Sequence, residues 1–258
     1  MKTVARLSIT PVKSMQLQHR EEIRLEPFGV VENRRFYVSD REGRLLRGLS
    51  HDRLVPIQPE YDPASEWLSL RFPDGRVVQG DVGTVNGHQI SSSFWGRVVT
   101  GGEVEGPWAD ALSELVGEPV RLIRTHQPGE GIDSHAVSLF SSASAEELDR
   151  RAGRAGRPHD RRRWRMLIQV DGCRPHEEDE WIGGRVRIGN AVIDVIRADP
   201  RCRITTLDPD TGQKDFDTLR VLAGYRADRI GELPFGVYGD VKKPGLIRQG
   251  DPVEPVAT

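Results

Sequence analysis

Cys202 stands between Arg201 and Arg203 in the stretch ADPRCRITTLDPDTG, residues 198–212, and it is one of only two cysteines in 258 residues. Two chemistries compete for such a residue. A free cysteine packs well as a small buried apolar side chain. Flanking positive charge instead lowers a thiol pKa and favours the thiolate, the form that attacks electrophiles or binds metal. The other cysteine, Cys173, completes no C-x-x-C or Cys/His cluster, so an all-protein zinc or iron–sulfur site is close to excluded. A metal on Cys202 must then draw most of its coordination from a ligand that is not protein. A lone disulfide is not expected in a chain of this kind.

Cations beside hydroxyls come next. TPVKS places Lys13 and Ser14 just after a strand break, and NRRF places Arg34 and Arg35 at a strand start. Such groups at strand ends suit a phosphate or another compact anion, although ordinary strand ends facing water look the same. SSAS at 141–144 precedes a helix, where Ser141, Ser142 and free backbone N–H groups can hold an anion or simply cap the helix. Arginines crowd residues 149–165, with Trp164 the only aromatic among them, and Arg165 is the member expected to turn inward. Lys+Arg number 37 against Asp+Glu 39, a net charge of −2, so no nucleic-acid partner is expected. HEEDEW, residues 176–181, reads as a solvated turn with Trp181 in the core, because consecutive carboxylates point in different directions. His126, His135 and His176 have no ligand spacing, and no G-x-S-x-G, P-loop or dinucleotide fingerprint is present.

The elements that position these residues are mostly short strands. NRRFYVSDREGRLLRG predicts a hairpin turning at Arg41-Glu42-Gly43. EWLSLRFPDGRVVQGDV predicts a clearer one about Asp74-Gly75, with Leu68, Leu70 and Phe72 alternating. In GPWADALSELVG, Trp108, Leu112 and Leu115 mark one face of a helix that Gly117 ends. RTHQPGEGIDSH reads as a loop or domain junction. Beyond it, Ser144 and Glu147 are spaced as a capping box, and RRRWRMLIQVDG reads as a strand. RVRIGNAVIDVIRADPRC turns at Gly189-Asn190 and leads to Cys202, after which Ile204–Leu207 reads as a strand closed by the DPDTG turn. DTLRVLAGYR is a short helix and PGLIRQGDPVEPV a closing strand. The fold class is mainly β with a few short helices, of β-barrel architecture. No apolar run approaches a membrane span and no signal peptide is evident, so no membrane partner and a cytoplasmic location are expected.

Seven of these segments, in order, resemble the MOSC family, named for the C-terminal part of molybdenum cofactor sulfurases: TPVKS, RRFYVSDREG, SLFSSASAEEL, WRMLIQVDG, EEDEWIGGRVRIG, PRCRITTLDPDTG and FGVYGDVKKPGLIRQGDPVEPV. The resemblance covers nearly the whole chain and is strongest to the two-part, amidoxime-reducing members. It implies an N-terminal β-barrel lobe over residues 1–125 packed on a MOSC β-barrel domain over 126–258. It further implies that Cys202 is a thiolate ligand to molybdenum in a molybdopterin cofactor. Lys13, Ser14, Arg35, Ser141, Ser142, Arg165 and Arg201 would grip the phosphate and pterin, with Tyr238 near the site. Leu167 stands where close relatives often carry asparagine, which puts one polar cofactor contact in question. The implied activity is reduction of a small molecule with a weak N–O or S–O bond. Electrons would come from a separate flavin, haem or iron–sulfur protein. Asp208, Asp199 and Tyr238 are candidate proton donors by position. The alternative is a carrier of the cofactor or of its sulfur, without turnover of its own; mobilising sulfur from cysteine is not expected without a pyridoxal-phosphate domain.

Overall fold

Alternation of apolar and polar residues at period two builds most of the molecule, because successive strand side chains point to opposite faces. A computed structural model describes residues 1–83, 85, 89–227 and 232–256. The first half runs β1 (Thr3–Ile9), β2 (Gln18–Arg20), β3 (Glu22–Leu25), β4 (Phe36–Asp40), β5 (Gln58–Asp62), β6 (Trp67–Arg71), β7 (Val77–Asp81), β8 (Gln89–Phe94), β9 (Arg97–Glu103), α1 (Trp108–Val116) and β10 (Val120–Thr125). The second half runs β11 (Val137–Ser141), α2 (Ser142–Arg151), β12 (Ile168–Asp171), β13 (Arg185–Ile188), β14 (Ala191–Pro200), α3 (Thr218–Ala223), β15 (Pro234–Lys243), β16 (Gly245–Arg248) and β17 (Val253–Val256). The molecule is mainly β with short helices, as the sequence predicts.

The largest sheet has the order β17-β13-β14-β15-β11-β12-β1-β2. A second contains β4-β10-β9-β8, a third β5-β6-β7, and β3 pairs with β16 alone. The sheets do not follow the two halves of the chain: Leu7 of β1 lies opposite Ile168 of β12, and Ile23 of β3 opposite Ile247 of β16. One core, including Leu7, Val170, Val186, Ile193 and Val237, fills the large sheet. Another, including Phe36, Leu68, Leu70, Trp108 and Leu112, lies between the remaining strands and α1. Each such fully buried side chain contributes about 1.5–3 kcal/mol. A third cluster under α2 and α3 stacks Trp164 on Phe235, ring centroids 3.7 Å apart.

The hairpin β6–β7 turns where Asp74-Gly75 predicts it, and Gly117 ends α1 with φ 88°. Three local expectations are corrected. Residues Arg203–Thr206 form a 3₁₀ turn, not a strand, because Thr205 Oγ1 donates to the Cys202 carbonyl at 3.1 Å and Thr206 Oγ1 to that of Arg203 at 2.8 Å. Those hydroxyls offer the backbone a local partner in place of a sheet ladder. The cap of α2 is Ser141, whose Oγ accepts from Ser144 N, while Glu147 turns to Arg150 and Arg151 and forms no capping box. RRRWRMLIQVDG begins as a 3₁₀ turn, Arg161–Trp164, and becomes strand only at Ile168.

Candidate functional site

A cavity of about 450 Å³ opens above Cys202, walled by parts of the chain far apart in sequence. Lys13 and Ser14 follow β1, Asn33 and Arg34 precede β4, and Arg47 and Trp95 come from turns in the first half. Asp133 and His135 lie on the 126–135 loop. Arg165 follows the Arg161–Trp164 turn, and Arg197, Asp199, Arg201 and Cys202 come from the end of β14 and beyond. A bulge in β14 makes the last group possible. Val195 faces Gly239 but Arg197 faces Tyr238, so Ile196 is an extra residue in the ladder. One extra residue reverses the facing of a strand. The alternation that buries Ile193 and Val195 therefore presents Arg197 and Asp199 to the cavity.

Backbone strain gathers at the same wall. Ser14, Arg34, Trp95 and Arg165 all hold positive φ, at 75°, 54°, 51° and 56°. Non-glycine residues avoid this region, and where it persists it commonly marks a functional site. Neighbours hold these turns: Gly48 N donates to Ser14 Oγ at 3.0 Å, and Arg34 N to the Thr10 carbonyl at 2.6 Å. A Cβ on Gly48 would come within 2.8 Å of Ile204 Cδ1, so glycine is what lets this turn approach the Cys202 loop.

Six cations line the cavity (Lys13, Arg34, Arg47, Arg165, Arg197, Arg201) against three carboxylates (Asp133, Asp199, Glu232). Lys13 Nζ donates to the Gly131 carbonyl at 2.8 Å and to Asp133 Oδ1 at 2.6 Å. Burial, aided by Arg34 and Arg165, pushes Lys13 down to about 8 in spite of Asp133. Burial works to raise Asp133, yet Lys13 and Arg34 hold it at about 2. Burial and Arg34 lower Arg165 to about 10; its Nη2 donates to the Met15 carbonyl at 2.7 Å, and among the described residues no carboxylate forms an ion pair with it. Arg201 bonds Asp199 and the Trp164 carbonyl, and its buried Nε has no partner. Cys202 is exposed and lines the cavity, whereas burial pushes the Cys173 thiol up to about 12. Trp95, 56% exposed, carries the Arg47 guanidinium over its ring at 4.3 Å and the Lys13 ammonium at 5.6 Å.

Of the residues singled out in the sequence, Lys13, Ser14, Arg165, Arg201, Cys202 and Tyr238 meet in this cavity, and Arg35, Ser141 and Ser142 do not line it. Arg35 points away from it, with Nη1 donating to Thr125 Oγ1 at 2.9 Å. Ser141 caps α2 deep in the molecule, and Ser142 is tied to Asp171 and Gln169. The anion position at the start of α2 is already filled: Glu178 Oε1 accepts from Ser141 N at 3.2 Å and from Ser144 Oγ at 2.7 Å. Glu178 is thus buried, not part of a solvated turn, although Trp181 beside it does enter the core. Sequence reading passed over Asn33, Arg47, Trp95, Asp133 and Ser138 as cavity residues. Only Trp95-Gly96 carried a local signal, an aromatic on a two-residue turn. Leu167 lines the cavity, its N–H donating to Ser138 Oγ at 3.0 Å.

Comparison with known proteins places the chain. Residues 126–254 match the model of the MOSC domain and residues 1–119 that of the MOSC N-terminal beta barrel domain. The chain belongs to the MOSC family. Relatives include mitochondrial amidoxime-reducing component 1 of Mus musculus, 27% identical over 97% of this chain and 81% of that protein. The Homo sapiens protein of the same name is 28% identical over 97% and 82%. A molybdenum cofactor sulfurase of Danio rerio is 26% identical over 92% of this chain, which spans 31% of that protein's length. In this MOSC protein Lys13, Ser14, Arg34, Arg47 and Trp95 come from the first matched region and Asp133, Arg165, Asp199 and Cys202 from the second, so the cavity is built by both.

Proposed function

We propose that this MOSC protein binds a molybdenum–pterin cofactor in the cavity over Cys202 and reduces N-hydroxylated or S-oxide small molecules by removing oxygen. The observation that carries the reading is the single exposed thiol opening into a wall with six cations and three carboxylates. The donor set fits the cofactor. Among the described residues no three His, Cys, Asp or Glu side chains cluster to hold a metal by themselves, so the metal must bring its own ligands. A soft metal bound mainly by a dithiolene needs one soft protein ligand, and Cys202 is that ligand. A phosphate dianion suits an unpaired Arg165 guanidinium and the orphaned Nε of Arg201. The names of the relatives, amidoxime-reducing and molybdenum cofactor sulfurase, support the same class.

Bound there, the cofactor would supply a two-electron centre for removing oxygen from the substrate. The chain's own residues do the rest. Lys13, Ser14, Arg165 and Arg201 hold the anionic group, and their fixed positions cost no reorganisation when it binds. Trp95 and Arg47 line the same cavity, with the guanidinium over the indole. Electrons come from a separate electron-transfer protein.

Protein purified from a host that makes the cofactor tests this directly. The wild type is expected to carry molybdenum and pterin near one per chain, and Cys202→Ser to lose most of the metal. Turnover of benzamidoxime-type compounds and sulfoxides with an artificial electron donor then follows. Pterin without metal in both proteins would point to a carrier. No pterin in either would overturn the cofactor reading.

A further inference from the structure

Asp199 is a buried carboxyl in the cavity wall to which the proposal above gives no role. It is 1% exposed, stands three residues before Cys202 and lines the cavity through the β14 bulge. One carboxyl oxygen is bonded by Arg201, and the other, Oδ1, is buried without a hydrogen-bond partner. The Tyr238 hydroxyl on the adjacent strand is a further polar neighbour. Tyr238 is held in turn by His135, ring centroids 5.4 Å apart, and His135 Nδ1 sits 3.0 Å from Asp240 Oδ1. A buried carboxyl oxygen without a donor favours the protonated form, since a proton costs less there than a charge.

We propose that Asp199 is the acid of this cavity, carrying on Oδ1 the proton delivered to the oxygen that leaves the substrate, with Tyr238 as its positioning residue. The proposal rests on the reductase reading. For an N-hydroxylated substrate, the N–O bond breaks and the nitrogen takes two electrons from the electron-transfer protein and one proton from solvent. The leaving hydroxyl takes the Asp199 proton and becomes water. Solvent reprotonates Asp199.

The groups facing Asp199 are Arg201 on its own strand end, Tyr238 on β15, Asp133 on the 126–135 loop and Arg34 before β4. Burial dominates and raises Asp199 to about 6, against the charge of Arg201 and the hydroxyl of Tyr238. An acid must start protonated, so turnover is high below about 6 and falls as pH rises through that value. Asp199→Asn is expected to lower kcat by about 100-fold or more, the range of a lost general acid. KM and bound molybdenum are expected to stay near wild type. Tyr238→Phe removes a hydroxyl that lowers the Asp199 pKa, so the falling limb moves to higher pH.

Infrared difference spectra give a readout without turnover. A carboxylic-acid band that disappears as pH rises through about 6, absent in Asp199→Asn, is expected even in cofactor-free protein. Active wild type matched in kcat and pH profile by Asp199→Asn, or a carboxylate ionised down to the ordinary range, would overturn the donor assignment alone. An unmoved limb in Tyr238→Phe would overturn the role of Tyr238. Fully loaded wild type that turns over none of these compounds would overturn the reductase reading, and the donor role with it.

Discussion

Two corners of this protein use the same residue types to opposite ends. At the cavity, Arg165 has no carboxylate within ion-pair distance among the described residues, and Arg201 leaves a buried Nε unbonded. At the start of α2, Ser141 and Ser144 also offer an N–H and a hydroxyl to an anion, but Glu178 already supplies it. The arginines divide in the same way. Arg163, four residues beyond His159, pairs through Nη1 and Nη2 with Asp215 at 3.1 Å and bonds two carbonyls, with only its Nε left unbonded, while Arg165 lines the cavity and forms no ion pair among the described residues. Cations and hydroxyls in a motif therefore do not make a binding site. What sets the cavity apart is a guanidinium with no ion pair among the described residues, on a backbone held at positive φ.

Substitutions on the two sides should separate cleanly. Arg165→Gln keeps a donor but loses the charge, and a hydrogen bond to a charged group contributes roughly 1.5–3 kcal/mol. Retained cofactor, measured as molybdenum per chain after gel filtration, is expected to fall by about tenfold or more at equal expression. Thermal stability should not fall, because the change relieves an uncompensated buried cation. Glu178→Ala should do the reverse. It leaves Ser141 N and Ser144 Oγ without their acceptor, at a cost of about 1–3 kcal/mol, so the melting temperature drops by several degrees while molybdenum content holds. Equal loss of cofactor in both variants would erase the distinction between the two corners.

Acid sharpens the contrast further. His159 is buried beside Asp149 and accepts from Trp164 Nε1 at 2.8 Å; burial lowers its pKa from 6.5 to about 4. A lowered base means that the unfolded chain binds the proton first. Its stabilising contribution is whole above about 6.5 and is lost as pH falls toward 4, on the order of 3 kcal/mol in all. Asp199 has the opposite sign. Its raised pKa favours the folded state below the unfolded value of 3.8, and that contribution is lost as pH rises through about 6. Urea midpoints at pH 7, 5 and 4 are expected to fall with acid in the wild type. Asp199→Asn should fall more steeply, having lost a contribution that grows as pH drops.

Local rules carried part of this from the sequence. The hairpin at 67–81 and the helix at 108–116 each follow from a periodic apolar pattern and a turn or capping residue within a few positions. Cys202 drew notice because cysteine is scarce here and its neighbours are both cationic. What stayed hidden depends on distant partners. Glu178 looked like one of several solvated carboxylates because its partners lie 34 and 37 residues earlier. Asp199 is a candidate proton donor in the sequence by position alone, because the reversal that turns it inward is a bulge, visible only in the pairing of β14 with β15. Asp133 lay in a loop read as a junction, although it is Lys13, 120 residues before it, that gives the loop its role.

The pairing of β1 with β12 and of β3 with β16 also bears on how the protein is made. Synthesis runs from the N-terminus, and domains generally fold as their residues emerge. Here the first strands wait for partners that leave the ribosome 160 or more residues later: β1 needs Ile168–Asp171 and β3 needs Gly245–Arg248. Pairings that distant are slow to form, because loop closure precedes any gain from contact. Lys13 and Ser14 lie between those two strands and are fixed only when both have closed. The wall that carries Lys13 and Ser14 is therefore completed only after Gly245–Arg248 has been made, although those two residues are among the first synthesised.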